Sequence, residues 1–417
     1  MADFHQTGPI TTLHRLGGSG LQRLETELVE VARHRPMALV LPCLSLELQD
    51  EGLKRVTDAL AGVSYLRQIV VSISAPDRAS FDAVAAAFAG VSTWEGEAPT
   101  FLWADGPAVA SLCKDLAAGG LAVGLAGKGQ AVWLAYGYLL GTDRVRSVAL
   151  HDCDIRDYQR ELLARLVYPV AHPNLDYSFA KGYYPRLSER LYGRVTRLLV
   201  TPLLRALRAI LGPHDLLEFL DAFRYPLAGE CAMSMDLVAS TRVPNDWGLE
   251  IATLVDVFRN TAPKRVCQVE LAENYDHRHR ELSPDDPSAG LHRMVIDITA
   301  SLIRSLAGHG VEFDSAFLNT LIVSYRRTAQ EAIERYRDDA ALNGLIFDAH
   351  AEELAAETFS KGLLAAGLEF VKDPLGAPPI PSWNRVMAAM PGFLERLREK
   401  IEAETPPRGC LGGSGKL

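Results

Sequence analysis

The sequence predicts an α/β protein, a nucleotide-type sheet flanked by helices with a mainly helical C-terminal region, and three observations carry that expectation. From residue 37 to about 155, short apolar runs alternate with longer amphipathic segments, the rhythm of βα units around a parallel sheet. The last of these runs, within VRSVALHDCD at 145–154, ends abruptly in two carboxylates, Asp152 and Asp154, one residue apart. From about Ala289 onward, long amphipathic segments dominate.

The elements follow in order. A first strand is predicted over 37–42 with a helix over 50–61, a second over 68–74 with a helix over 78–89, and a third over 100–104 with a helix over 107–118. Gly127, Lys128 and Gly129 open a further helical segment, AVWLAYGYLLG, which leads back to the strand bearing the acidic pair. Beyond it, DYQRELLARLVYPV reads as a helix, LDYSFAKGYYPRL as a strand and GRVTRLLVTPLLRALRAIL as a long helix with a basic start. One more helix is expected over 246–260 and a strand over 264–271, before the helical segments SAGLHRMVIDITASLIRSLAGHG and SAFLNTLIVSYRRTAQEAIERYRDD.

Composition narrows the class. With 417 residues and 48% hydrophobic content the chain can bury a sizeable core, and no apolar run is long enough for a membrane span. The start, MADFHQTGPITTLHR, lacks the basic-then-apolar layout of a signal peptide, so a cytoplasmic location is expected. Six cysteines lie far apart without a C-x-x-C pair and read as reduced thiols. A net charge of −9, spread along the chain, disfavours nucleic acid as a partner and points to small-molecule substrates.

The chemistry concentrates at the acidic pair. In open α/β sheets the ligand crevice lies beyond the carboxyl ends of the strands, which is where Asp152 and Asp154 fall. Two adjacent carboxylates repel, and a divalent cation whose remaining positions are filled by phosphate oxygens relieves that repulsion. An Asp-rich turn capping the next helix is the bland alternative. Gly127-Lys128-Gly129 is not a P-loop, which needs Ser or Thr after the lysine, but a glycine-flanked lysine at a helix start can approach an anion or serve as a plain turn. In ENYDHRHRELS, His277 and His279 follow an apolar run; at i and i+2 on an extended segment they face opposite sides, so at most one reaches a given ion.

These landmarks together resemble a known family, the retaining nucleotide-sugar glycosyltransferases of GT-A fold that include glucosyl-3-phosphoglycerate synthase and the glucosylglycerate and mannosylglycerate synthases. Leu41-Pro42-Cys43-Leu44 is similar to the family's Pro-Ala-Leu segment at the nucleotide, Gly127-Lys128-Gly129 with Trp133 to its GKG…LW element, and the stretch 151–154 to its D-x-D motif. Gly193-Arg194-Val195-Thr196 resembles its GRVT, PLAGE at 226–230 its loop beside the sugar, and WGLEI at 247–251 its YGVEI. The resemblance implies a donor set of Pro42, Cys43, Leu44, Ser74, Lys128, Asp152, Cys153, Gly229 and Glu230, and an acceptor set of Arg194, Val195, Thr196 and His279. It further implies Mg²⁺ or Mn²⁺ on Asp152, Asp154 and His277, with Asp154, Glu250 and Lys128 as the catalytic residues. Where the family reads RAHRN this chain has Tyr275 to His279, and it lacks the family's Asn-Glu-Glu after Leu44, which leaves Glu47 without an assigned role.

The function implied is transfer of glucose, with retention, from a nucleotide-sugar, UDP-glucose favoured, to 3-phosphoglycerate or D-glycerate, with mannosyl transfer from GDP-mannose to the same acceptors as the alternative. A compatible-solute pathway and a homodimer accompany it. Replacement of a family arginine by Tyr275 removes a bidentate phosphate clamp and brings free glycerate forward as acceptor. The competing expectations are a metal-dependent sugar nucleotidyltransferase and a nucleotide-binding interaction platform. The implied division is a helical lead-in over 1–36, a catalytic domain over 37–285 (donor half to about 155, acceptor half from 156), a helical region over 286–405 and a disordered tail over 406–417.

Overall fold

The computed structural model describes residues 6, 8–17, 20–244, 248–275, 282–284 and 286–406. Its centre is an eight-stranded sheet of β1 (Thr11–Leu13), β2 (Met37–Leu44), β3 (Leu66–Ser74), β4 (Thr100–Trp103), β5 (Ser147–Leu150), β6 (Phe179–Tyr183), β7 (Cys231–Ser234) and β8 (Val266–Glu270). The spatial order is β1-β8-β6-β7-β5-β2-β3-β4. Helices cover both faces, so the central strands read as continuous apolar runs; β2, MALVLPCL, is buried from Met37 to Leu41.

Three features depart from the sequence expectation. The sheet is mixed rather than parallel, because β7 runs antiparallel to both β5 and β6. This strand is only the four residues CAMS, too short for a periodicity signal. The lead-in contributes an edge strand, β1, paired parallel with β8, ahead of the expected helix Leu21–Ala32. The basic-start segment is wound first as a wide π turn, Val195–Val200, before the helix Thr201–Leu211.

Pairing explains how a proline enters a central strand. The β2–β5 ladder ends at Val40↔Leu150, whereas β2 continues beside β3 to Leu44↔Ser74. At Pro42 the strand therefore has one neighbour, and the missing N–H breaks no ladder on the β5 side. This overhang sets Pro42, Cys43 and Leu44 alongside the segment that follows β5.

The helix Lys128–Thr142 is apolar all round, with every residue from 129 to 139 buried, the pattern of a core helix. Its outer face is covered from the far end of the chain. Trp133 and Trp383 stack with centroids 4.0 Å apart. Each indole N–H donates across the junction, Trp133 Nε1 to the Pro381 carbonyl at 2.8 Å and Trp383 Nε1 to the Trp133 carbonyl at 2.9 Å. The rest of the C-terminal region is helical, with Gly290–Ala307, Ser315–Leu342 and Ala349–Lys372 as its longest members. No helix among the described residues is long and apolar enough to cross a membrane.

Candidate active site

The expected donor residues converge at the carboxyl ends of the strands. Asp152, Cys153 and Asp154 follow β5 directly, Leu44 ends β2, Ser74 ends β3, Lys128 is the first residue of its helix, and Gly229 and Glu230 lead into β7. Glu250 occupies the first turn of the helix Leu249–Asn260. His277, His279 and Trp247 lie outside the described residues.

The Lys128 ammonium ties three of these elements together. Its Nζ lies 2.7 Å from Asp152 Oδ1 and 3.0 Å from Oδ2, and 3.8 Å from Glu250 Oε1. Burial opposes its charge, but Asp152, Glu250 and Glu230 outweigh that and raise its pKa above the ordinary lysine value. Gly129 lets the helix start dock, since a Cβ there would sit 2.5 Å from the Pro244 carbonyl oxygen. Gly229 does the same for the acidic pair: a Cβ would sit 2.6 Å from Asp152 Oδ2.

Burial and repulsion from Asp152 raise the pKa of Asp154, and burial raises that of Glu250 against the pull of Lys128. Around this point stand the carboxylates of Asp152, Asp154, Glu230 and Glu250 against the ammoniums of Lys128 and Lys181. That donor set carries an excess of negative charge that suits a divalent cation, and hard oxygen ligands suit Mg²⁺ or Mn²⁺.

Glu230 is buried behind the pair and held at both oxygens. Tyr184 Oη donates to Oε2 at 2.5 Å and Tyr275 Oη donates to Oε1, the two rings being stacked at 3.7 Å. Tyr275, expected as a substitution facing the acceptor, is instead 2% exposed and belongs to this support. Cys43 and Cys153 are likewise buried, 2% and 1% exposed, so their side chains pack inward from the donor edge.

The acceptor candidates form a separate group. Arg194 precedes the wide turn that holds Val195 and Thr196, both largely buried. Arg194 Nε donates to Glu352 Oε1 at 2.7 Å, and Arg197 Nη1 lies 2.9 Å from Glu352 Oε2. Sequence reasoning missed Glu352, for which no local signal exists 158 residues away. It also missed Lys181, whose Nζ donates to the Ala228 carbonyl within PLAGE at 2.6 Å; a lysine inside the apolar run SFAKGYY was a readable clue. Burial lowers the pKa of Lys181.

No family model matches the chain. Individual relatives do. The glucosyl-3-phosphoglycerate synthase of Persephonella marina is 41% identical over 404 residues, spanning 97% of this chain and 99% of its own length. The chain belongs to the glucosyl-3-phosphoglycerate synthase family. The synthase of Methanococcoides burtonii is 34% identical over 96% of this chain and 98% of its own. In fold, the chain is similar to the Mycobacterium tuberculosis glucosyl-3-phosphoglycerate synthase solved with Mg²⁺ and UDP, at TM-score 0.52 and 24% identity over 73% of this chain and 88% of that one. The same mycobacterial synthase has been solved with Mn²⁺, UDP-glucose and phosphoglyceric acid. Membership in this synthase family makes the chain a glycosyltransferase, against the nucleotidyltransferase and binding-platform alternatives.

Proposed function

We propose that the protein transfers glucose, with retention, from UDP-glucose to 3-phosphoglycerate. The observation that carries this reading is the Asp152–Lys128–Glu250 chain of contacts at the carboxyl edge of the sheet, in a chain 41% identical to a named glucosyl-3-phosphoglycerate synthase. Asp152 and Asp154, with His277, would hold Mg²⁺ or Mn²⁺, which when bound supplies Lewis-acid neutralisation of the donor diphosphate. Leu44 and Ser74, on the paired ends of β2 and β3, would seat the nucleotide.

Lys128 stays protonated between Asp152 and Glu250 and would stabilise charge developing on the departing UDP. Arg194 would take the acceptor carboxylate and Thr196 a hydroxyl, while Glu352 fixes the Arg194 guanidinium so that little orientation is lost on binding. Front-side departure and attack needs no protein nucleophile, the departing phosphate oxygen accepting the acceptor proton. Because Tyr275 is committed to Glu230, its presence is no argument against a phosphorylated acceptor, and 3-phosphoglycerate is preferred over D-glycerate.

The test is a matrix of UDP-glucose and GDP-mannose against 3-phosphoglycerate and D-glycerate, with and without EDTA, followed by anomeric analysis of the product by NMR. UDP release confined to the UDP-glucose and 3-phosphoglycerate pair, abolished by EDTA, with an α-glucoside product, is expected. Equal turnover with EDTA, or exclusive use of D-glycerate, would overturn the assignment.

A further inference from the structure

The overhang of β2 past β5 brings together a second set of ligands. Cys43, near the end of β2, meets Cys153, the residue between Asp152 and Asp154, and Glu47 reaches both from the short helical turn Ser45–Gln49. Among the described residues this is the one group of three His, Cys, Asp or Glu side chains whose candidate ligand atoms all lie within 4.8 Å of one another. Glu47 is fixed in place, its Oε2 accepting from the Leu44 N–H at 2.9 Å. The thiols are buried while Glu47 is half-buried, so the group has a closed sulfur side and a wetter carboxylate side.

We propose that Cys43, Glu47 and Cys153 form a soft cation site that takes Zn²⁺ and shuts down transfer at the neighbouring acidic pair. Two thiolates and a carboxylate are a zinc donor set, unlike the all-oxygen set preferred by Mg²⁺. With Zn–S bonds of about 2.3 Å, tetrahedral geometry puts two sulfurs about 3.8 Å apart, so the present spacing closes onto an ion with shifts of about 1 Å or less. On binding, each thiol releases its proton to solvent as its Zn–S bond forms. Three protein ligands leave a fourth position for water or a donor oxygen.

Occupancy reaches the transferase site through the chain itself. Anchoring Cys153 fixes the backbone that sets both Asp152 and Asp154, and that backbone already has little freedom: a Cβ at Gly52 would lie 2.7 Å from the Asp154 carbonyl carbon. A second dication there also competes for the charge that the acidic pair offers to Mg²⁺. The site stands on its own geometry, whichever acceptor the enzyme uses.

Cobalt gives a readout independent of turnover. Titration of EDTA-stripped full-length protein with Co²⁺ should produce a thiolate-to-cobalt charge-transfer band saturating near one equivalent and displaced by Zn²⁺. The band should be lost in Cys43→Ser and in Cys153→Ser, and Glu47→Gln should keep it while binding cobalt at least tenfold more weakly. Far-UV circular dichroism and thermal melts establish that each variant is folded, with Cys43→Ala as a second probe. In parallel, micromolar Zn²⁺ should inhibit Mg²⁺-supported UDP release, with recovery on adding a zinc chelator. Inhibition should weaken at least tenfold in Cys43→Ser relative to that variant's own rate with Mg²⁺. Absence of the band in the wild type, its survival in the serine variants, or unchanged zinc inhibition in Cys43→Ser would overturn the proposal.

Discussion

Replacing Gly229 with alanine tests the acidic pair by geometry alone. The added Cβ would stand 2.6 Å from Asp152 Oδ2 and 3.2 Å from Cγ, against an ordinary contact of 3.4 Å or more. The carboxylate must therefore retreat by about 0.8 Å, the difference between 3.4 and 2.6. It retreats from a position fixed by Lys128 at 2.7 Å. Gly229 is not at positive φ, so alanine fits its backbone and the strain falls on Asp152. Misplacing a positioned group by about 1 Å costs on the order of 10²-fold in rate, or about 2.7 kcal/mol of transition-state stabilisation. Initial rates of UDP release at saturating UDP-glucose and 3-phosphoglycerate, with Mg²⁺ varied, should show kcat down by about that factor and a raised metal requirement. The melting temperature should stay close to the wild type. A variant within twofold of wild-type kcat, with an unchanged metal requirement, would refute the placement of Asp152 at the reacting centre.

Four further outcomes are expected. Lys128→Met should lower kcat by about 10² to 10³-fold, as loss of one positioned charge does, measured under the same assay. Glu352→Gln frees the Arg194 guanidinium and should raise the KM for 3-phosphoglycerate about five- to tenfold, for the loss of about 1–1.5 kcal/mol, leaving the KM for UDP-glucose unchanged. Tyr275→Phe removes one of the two phenols on buried Glu230 and should cost about 1–3 kcal/mol in urea unfolding. Glu47 supplies a pH dependence: burial, with repulsion from Asp154, raises its carboxyl from 4.5 to about 7. The folded protein then holds this proton more tightly than the unfolded chain, so its contribution is full below pH 4.5 and is lost as pH rises to about 7. Urea unfolding in EDTA at pH 5 and 8 should show a wild-type decline that Glu47→Gln reduces.

What the sequence disclosed and what it hid follow the reach of each interaction. The acidic pair, the glycine-flanked lysine and the long strands were legible because each is a local pattern: an apolar run of set length, a terminus, a residue type at its end. The strand β7 was not, since four residues carry no period and its direction is set by β5 and β6. Tyr275 was misread because its role depends on Tyr184 and Glu230, 91 and 45 residues distant. The Arg194–Glu352 pair and the Trp133–Trp383 stack join segments far apart in sequence, and no window along the chain contains both partners.

That indole pair also orders events in time. Trp383 leaves the ribosome 250 residues after Trp133, an interval of about 12–50 s at about 5–20 residues per second. Throughout that interval the helix headed by Lys128 lacks its outer cover, while β5 to β8 are still being added to the sheet beneath it, and the apolar surface around Trp133 faces solvent or a chaperone. Only when the segment around Pro381 and Trp383 arrives can the two carbonyls at the junction accept their indole N–H groups. The lysine helix therefore gains its clasp only once Trp383 has been made, and a chain terminated before that residue emerges with the helix unclasped.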